Sequence, residues 1–166
     1  MAKTIETERL LLRPYRASDA ASVAQQIGDF EVSQWLTRVP YPYSEADALT
    51  FFDQVAGEPM VYAVCHAGEL VGCVSIMGDL GYWYGPRHWG QGYATEAARA
   101  VVAVHFAQED APLGSGYIDG NEASRKVLKK LGFVSDGVKE TPCLSRNLDV
   151  TVNRMILTRE TWEGHA

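Results

Sequence analysis

Cysteine is scarce in this chain. Cys65, Cys73 and Cys143 are the only three among 166 residues, an odd number at spacings that fit neither a disulfide framework nor a metal-ligand set, so they read as buried, reduced thiols and no metal is expected. Basic residues are also in short supply: 15 lysines and arginines stand against 21 acids, a net charge of −6. That balance argues against a nucleic-acid surface and favours a cationic acceptor such as an amine. No apolar run is long enough to span a bilayer, and the first residues carry Glu6 and Glu8 where a secretory leader would place basic residues and a hydrophobic stretch. The expected address is therefore cytoplasmic, away from any membrane. Repeats, linkers and low-complexity tracts are missing as well. What is present, a chain that is 46% hydrophobic and close to the usual domain size, fits one domain over residues 1–166 with a core large enough to need no staples.

The order of elements is mixed rather than strictly alternating, which predicts a single α/β domain. Arg9–Arg13 reads as a first strand, and Ser18 or Asp19 as the cap of a helix running to about Gln26. Ser44, with Asp47 three residues on, opens a second helix to Val55 in capping-box fashion. Val61–His66 and Leu70–Met77 are β-rich runs joined by a short turn containing Gly68, and a strand over Leu80–Tyr84 follows. Apolar residues at Ala94, Ala97, Ala98, Val101, Val102, His105 and Phe106 predict a helix over Tyr93–Gln108. A weak strand over Leu113–Ile118 leads to a helix from about Asn121 to Leu131, ended by Gly132, after which Phe133 restarts the sheet. Val138–Thr141 and Asp149–Thr158 form a closing pair around an irregular Pro142–Asn147 connection.

The richest stretch is GYWYGPRHWGQGYATEA, Gly81 to Ala97, which reads as strand, glycine-bearing loop and helix. The loop abuts a helix N-terminus, where the first N–H groups lack intrahelical partners and the macrodipole is positive. An anion can bind there by main chain alone if no side chain blocks it, and Gly90 and Gly92 leave the approach open. No lysine occurs from Tyr82 to Gln108, so this is not a P-loop. Gly90-Gln91-Gly92 is followed by Thr95 where a dinucleotide fingerprint needs a third glycine or alanine, so that pattern fits weakly. The spacing predicts a pyrophosphate held across amides from Trp89 to Ala94.

Arg87-His88-Trp89-Gly90-Gln91-Gly92 is an RxxGxG pattern that resembles the acetyl-CoA signature of the GNAT superfamily of N-acetyltransferases. With WGxGYATEA through the loop and NEASRKVLKKLGF further on, the chain looks like the ribosomal-protein-alanine acetyltransferase branch, RimJ/RimL. TERLLLRPYRASDA and DVTVNRMILTRETW resemble that branch's opening strand and helix and its closing strand, so the resemblance covers nearly the whole length. It implies a GNAT fold, a mixed and mostly antiparallel central sheet flanked by helices, and an enzyme that transfers acetyl from acetyl-CoA to a primary amine. The co-substrate contacts it implies are Tyr82, Trp83 and Tyr84 on the strand, Arg87, His88, Trp89, Gly90, Gln91 and Gly92 in the loop, Tyr93, Ala94 and Thr95 at the helix start, and Asn121 and Ser124 beyond. In that branch the serine matching Ser124 lies near the thioester sulfur, and the asparagine matching Asn121 contacts the pantetheine arm. Either a monomer or a homodimer is compatible.

Each of these residues also has a structural reading. Ser124 precedes Val127, Leu128 and Leu131 by three, four and seven residues, so it lies on the packed helix face, where a serine also bonds the carbonyl one turn back. Asn121 is a helix N-cap. Glu96 suits the first turn of its helix structurally more than catalytically. His88 is a loop contact, and Asp119 is either a turn residue with Gly120 or a base acting through water. Trp35, Tyr41 and Tyr43 offer an acceptor wall, with ordinary packing the favoured role. The wider superfamily's tyrosine acid corresponds to Leu128, which donates no proton, and the branch's glutamate aligns near Cys143, with Glu140 three residues away.

Acetyl transfer needs a neutral amine, a donor for the developing oxyanion and help for the departing thiolate. A thiol pKa of about 8.5 makes a serine hydroxyl adequate help. A lysine, at about 10.4, is almost wholly protonated near pH 7, whereas an α-amine at about 7.7–8.0 is partly neutral. With no strong base in the motifs, a peptide or protein N-terminus, or a similarly weakly basic amine, is favoured over a lysine side chain, and a small-molecule amine is the alternative acceptor. A noncatalytic acyl-CoA sensor and a nicotinamide oxidoreductase are the competing classes.

Overall fold

The computed structural model describes residues 2–165. Ile5–Glu6 (β1) and Leu10–Arg13 (β2) open the chain, followed by a 3-10 turn at Ala17–Asp19 and the helices Ala20–Ile27 (α1), Phe30–Ser33 (α2) and Glu45–Val55 (α3). Val61–His66 (β3), Glu69–Met77 (β4) and Asp79–Tyr84 (β5) form a meander. Tyr93–Gln108 (α4), Leu113–Ile118 (β6), Glu122–Leu131 (α5), Val134–Cys143 (β7), Leu148–Leu157 (β8) and Arg159–Glu163 (α6) complete it.

Among the described residues the strands make one eight-stranded sheet in the order β1-β2-β3-β4-β5-β6-β8-β7. β3 and β4 are buried on both faces, hence their nearly continuous apolar runs. Each face carries helices. On one, Ala97, Ala98, Val101, Val102 and Phe106 of α4 and Leu128 and Leu131 of α5 pack on Leu12, Val64, Val74 and Leu80. On the other, Val23 and Ile27 of α1 and Ala48 and Phe52 of α3 pack on Ala63, Cys65, Cys73 and Trp83. This is the expected mixed sheet flanked by helices. All pairings are antiparallel except β5 with β6, which are parallel and joined through α4.

β5 and β6 meet at a single register pair, Asp79 with Gly114. Beyond it β5 stays paired with β4 as far as Tyr84, while β6 stays paired with β8 as far as Ile118. The two strands therefore diverge and leave a wedge in the middle of the sheet.

Several expected elements are realised to the residue, including Tyr93–Gln108 and Leu113–Ile118. The capping box at Ser44 is present, with Ser44 Oγ accepting from Asp47 N–H at 3.2 Å and Asp47 Oδ2 accepting from Ser44 N–H at 2.8 Å. Others need correction. The first strand starts at Leu10, preceded by β1. Asp19 does not cap α1 through its side chain, because its carboxylate is committed to Arg13 by two bonds of 2.8 Å and to Arg16 N–H at 2.8 Å. The closing strand does not run to Trp162: it ends at Leu157, and Thr158 caps α6 by accepting from Thr161 N–H.

The Arg13–Asp19 pair has both side chains largely buried, 11% and 8% exposed. Burial works to raise the Asp19 carboxyl, but its bonds from Arg13 and Arg16 outweigh that and hold it below the usual carboxylate value. A depressed native pKa means the stabilisation is present above the unfolded value of about 3.9 and is lost as pH falls through the native one. Asp19→Asn should therefore lower stability at neutral pH by about 3 kcal/mol, the lower end for breaking a buried pair, or roughly 10 °C in Tm. Its stability should also fall less steeply than wild type in acid below pH ~4. Thermal melts of both proteins across that range check it.

Candidate active site

The wedge is lined by backbone whose direction follows from the pleat. The Leu80 carbonyl faces β6, where it accepts from Ser115 Oγ at 2.8 Å, and the Tyr84 carbonyl accepts from Trp89 Nε1 at 2.7 Å. Both point away from β4, and hydrogen-bonding direction repeats every second residue along a strand, so the N–H and C=O of Tyr82 between them also face the wedge. The aromatic side chains anchor this edge. Tyr84 packs into the core under α4, and Trp83 into the one under α1 and α3. The expected Tyr82–Tyr84 contacts are thus offered as main chain at Tyr82 and as ring anchors at Trp83 and Tyr84.

From the end of β5 the chain makes a 3-10 turn at Pro86–His88 and reaches Gly90 and Gly92, with φ of +72° and +80°. Left-handed backbone of this kind is natural to glycine, and Gly92 itself is the N-cap of α4. The Glu96 N–H bonds the Gly92 carbonyl at 3.1 Å, so the N–H groups ahead of it, Tyr93, Ala94 and Thr95 included, have no intrahelical acceptor. The loop is held from both ends. Trp89 pins it to β5, and Arg9 donates from Nη1 to the Gln91 carbonyl at 2.8 Å, with its guanidinium 4.9 Å from the Tyr93 ring centroid. Glu96 fixes that arginine: it accepts from Arg9 N–H at 2.8 Å, from Arg9 Nε at 2.7 Å and from Thr7 Oγ1 at 2.7 Å. Burial works to raise the Glu96 carboxyl, but these bonds prevail and lower it. Glu96 is therefore a tether between the N-terminal strands and α4. Arg87 is exposed, and His88 lies half-buried 3.8 Å from Glu69.

On the far side of the wedge, Asn121 caps α5 by accepting from Ser124 N–H on Oδ1 at 3.2 Å, which leaves its Nδ2 for other use. Ser124 is half-buried with its Oγ 2.8 Å from the Tyr82 hydroxyl. Burial pushes the Tyr82 phenol up to about 12, with Ser124 opposing. Leu128 is fully buried in the core. Sequence spacing puts Ser124 on the packed face but carries no sign of its partner 42 residues earlier.

The β7–β8 connection closes the other side. Leu144 N–H donates to the Thr37 carbonyl at 3.0 Å, Ser145 Oγ to the Ser33 carbonyl at 2.7 Å, and Arg146 Nε to the Gln34 carbonyl at 2.8 Å. Arg146 also lies over Trp35, which packs with Ile118, Cys143 and Val150 and sits near Gly120 at the end of β6. Trp35 thus stands by the wedge, whereas Tyr41 is exposed against Phe30 and Tyr43 packs with the α1 and α3 core. Cys143 is buried beside Ser145. Glu140 accepts from Thr151 Oγ1 at 2.5 Å and Asp119 from Asn153 Nδ2 at 3.2 Å. Among the described residues no three His, Cys, Asp or Glu side chains gather as a metal site, and no helix is long and apolar enough to cross a membrane.

The family model described as an acetyltransferase (GNAT) domain matches residues 9–134, a span that holds the wedge, the loop and Ser124. The chain belongs to the GNAT acetyltransferases. It is accordingly an acetyl-CoA-dependent N-acetyltransferase. The curated relatives include the uncharacterized N-acetyltransferase YoaA of Bacillus subtilis, 24% identical over 161 residues that span 83% of this chain and 86% of that one. A stretch of 56 residues, 33% of each chain, is 44% identical to YkkB of the same organism. A solved acetyltransferase from Salmonella typhimurium, described as modifying the N-terminal serine of ribosomal protein L7/L12, superposes with a TM-score of 0.79 at 17% identity, covering 94% of this chain and 99% of that one.

The N–H groups of Tyr93, Ala94 and Thr95 and the open space at Gly90, where a Cβ would meet nothing within 4 Å, are the features a main-chain anion site requires, and substitution at Gly92 tests whether CoA uses them. Gly92→Val imposes a branched side chain on left-handed backbone, 3.4 Å from Arg9 Nη2. It should weaken CoA binding at least 10-fold by calorimetry while the protein stays folded by circular dichroism. Unchanged affinity would refute that use.

Proposed function

We propose that the acceptor is the α-amine of a peptide or protein N-terminus and that acetyl passes to it directly, with no covalent enzyme intermediate. The observation that carries this reading is that the two carboxylates weighed as bases, Glu140 and Asp119, already accept bonds from Thr151 and Asn153. An acceptor with an appreciable neutral fraction places the smallest demand on such a site, and an α-amine has one near pH 7. The Salmonella neighbour, described as acting on an N-terminal serine, supports the same class.

The cysteines support direct attack. All three are buried, and burial pushes the Cys73 thiol up to about 11, the reverse of what a nucleophile needs. In the direct path the amine nitrogen bonds the carbonyl carbon, the Tyr82 N–H in the wedge stabilises the oxyanion, and the C–S bond breaks with its electron pair on sulfur. Ser124 O–H hydrogen-bonds that sulfur as charge builds. The amine's surplus proton passes to water, and the thiolate takes one from water.

Two measurements test this. On a panel of peptides with free or blocked N-termini, acetylation should require the free α-amine, and kcat/KM should rise with pH through about 8 as that amine deprotonates; ready acetylation of internal lysines or of small-molecule amines alone would refute it. Ser124→Ala should lower kcat and kcat/KM together by about 10- to 100-fold with KM for acetyl-CoA little changed. Full activity with a raised Tm would make Ser124 a helix residue only.

A further inference from the structure

Ser124 lies in the first turn of α5, and the partner of its Oγ is not a carbonyl one turn back but the Tyr82 hydroxyl, 2.8 Å away on the opposite wall of the wedge. The same phenol is within donating reach of the Ser124 carbonyl at 3.3 Å, and the shorter contact between the two hydroxyls accommodates either as donor.

We propose that Tyr82 is a positioning residue for catalysis: its O–H donates to Ser124 Oγ, leaving the serine's own proton for the departing sulfur. This rests on the reading of Ser124 as the sulfur's donor. With one lone pair occupied by Tyr82, the Ser124 O–H cannot point back at the phenol without displacing that bond, so it is directed into the wedge. As negative charge reaches sulfur, the Tyr82-to-Ser124-to-sulfur chain polarises along its length, and each bond strengthens the next. Tyr82 neither gains nor loses a proton in the step. Its phenol, raised to about 12, stays a donor throughout the working pH range. The place left empty of chemistry by Leu128, which is fully buried, is thus served by Ser124 one turn earlier on α5, with Tyr82 of β5 behind it.

The test is a double-mutant cycle with Tyr82→Phe, Ser124→Ala and the pair, read as kcat at saturating acetyl-CoA and peptide, with Tm measured for each. Tyr82→Phe is expected to lower kcat about 3- to 10-fold, the loss of one modest hydrogen bond, with KM for acetyl-CoA unchanged, and to have no further effect once Ser124→Ala is present. Wild-type kcat in Tyr82→Phe, or an equal loss in both backgrounds, overturns the proposal while leaving the role of Ser124 intact. Wild-type kcat in Ser124→Ala removes the serine's role and this inference together. Should Tyr82→Phe unfold, 3,5-difluorotyrosine at position 82 keeps the ring and lowers the phenol pKa. It should add an alkaline fall in kcat that vanishes in the Ser124→Ala background, and a fall that persists there, or no fall at all, overturns the proposal.

Discussion

β5 and β6 are parallel neighbours that share a single register pair, and the site depends on that restriction. Each strand is committed elsewhere, β5 to β4 and β6 to β8, by antiparallel ladders that continue past the contact. Two strands so committed open a wedge if something holds them together at its base only. The Asp79–Gly114 register pair and the buried bond from Ser115 Oγ to the Leu80 carbonyl at 2.8 Å do this, and Asp79 also pairs with Arg154 of β8 at 2.9 Å across Gly114 and Gly116. A Cβ at Gly114 would meet Asp79 Oδ1 at 2.3 Å, and one at Gly116 would meet Arg154 Nη1 at 3.3 Å. The glycines clear the path for the arginine arm. The pair is partly exposed and contributes little stability by itself.

Around that opening the chemistry is supplied largely by main chain. The aromatic run of β5 sends Trp83 to one core and Tyr84 to the other, so the strand edge at Tyr82 is rigid while its amide and carbonyl face the gap. The α4 N-terminus offers N–H groups in a geometry set by two glycines. Donors fixed before the ligand arrives need no reorganisation as charge develops, which is the condition under which they act most strongly.

That rigidity is bought by contacts distant in sequence. Trp89 clamps the loop to Tyr84, and the Thr7–Arg9–Glu96 cluster clamps it to the N-terminal strands. On the other side the β7–β8 connection is bonded to the segment around Trp35, so that side of the wedge is walled by two pieces of chain more than a hundred residues apart.

The sequence by itself determined most of the local elements and the glycine-bearing loop that opens α4. The helical stripe of α4, the Ser44–Asp47 box and the Asn121 cap are signals that act within a few residues, and Gly90 and Gly92 permit the left-handed backbone that the loop adopts. Short or outlying elements escaped it. β1 has two residues and α2 four, too few to show a period, and β7 is exposed over most of its length, so its full extent follows from pairing with β8 rather than from any alternation of its own. Tertiary structure alone decided that Ser124 meets Tyr82, that Asp19 serves Arg13 in place of a helix end, and that Arg9 steadies the loop. A side-chain hydrogen bond forms where the fold brings two groups within about 3 Å, and that proximity is set by the packing of whole elements on a shared sheet.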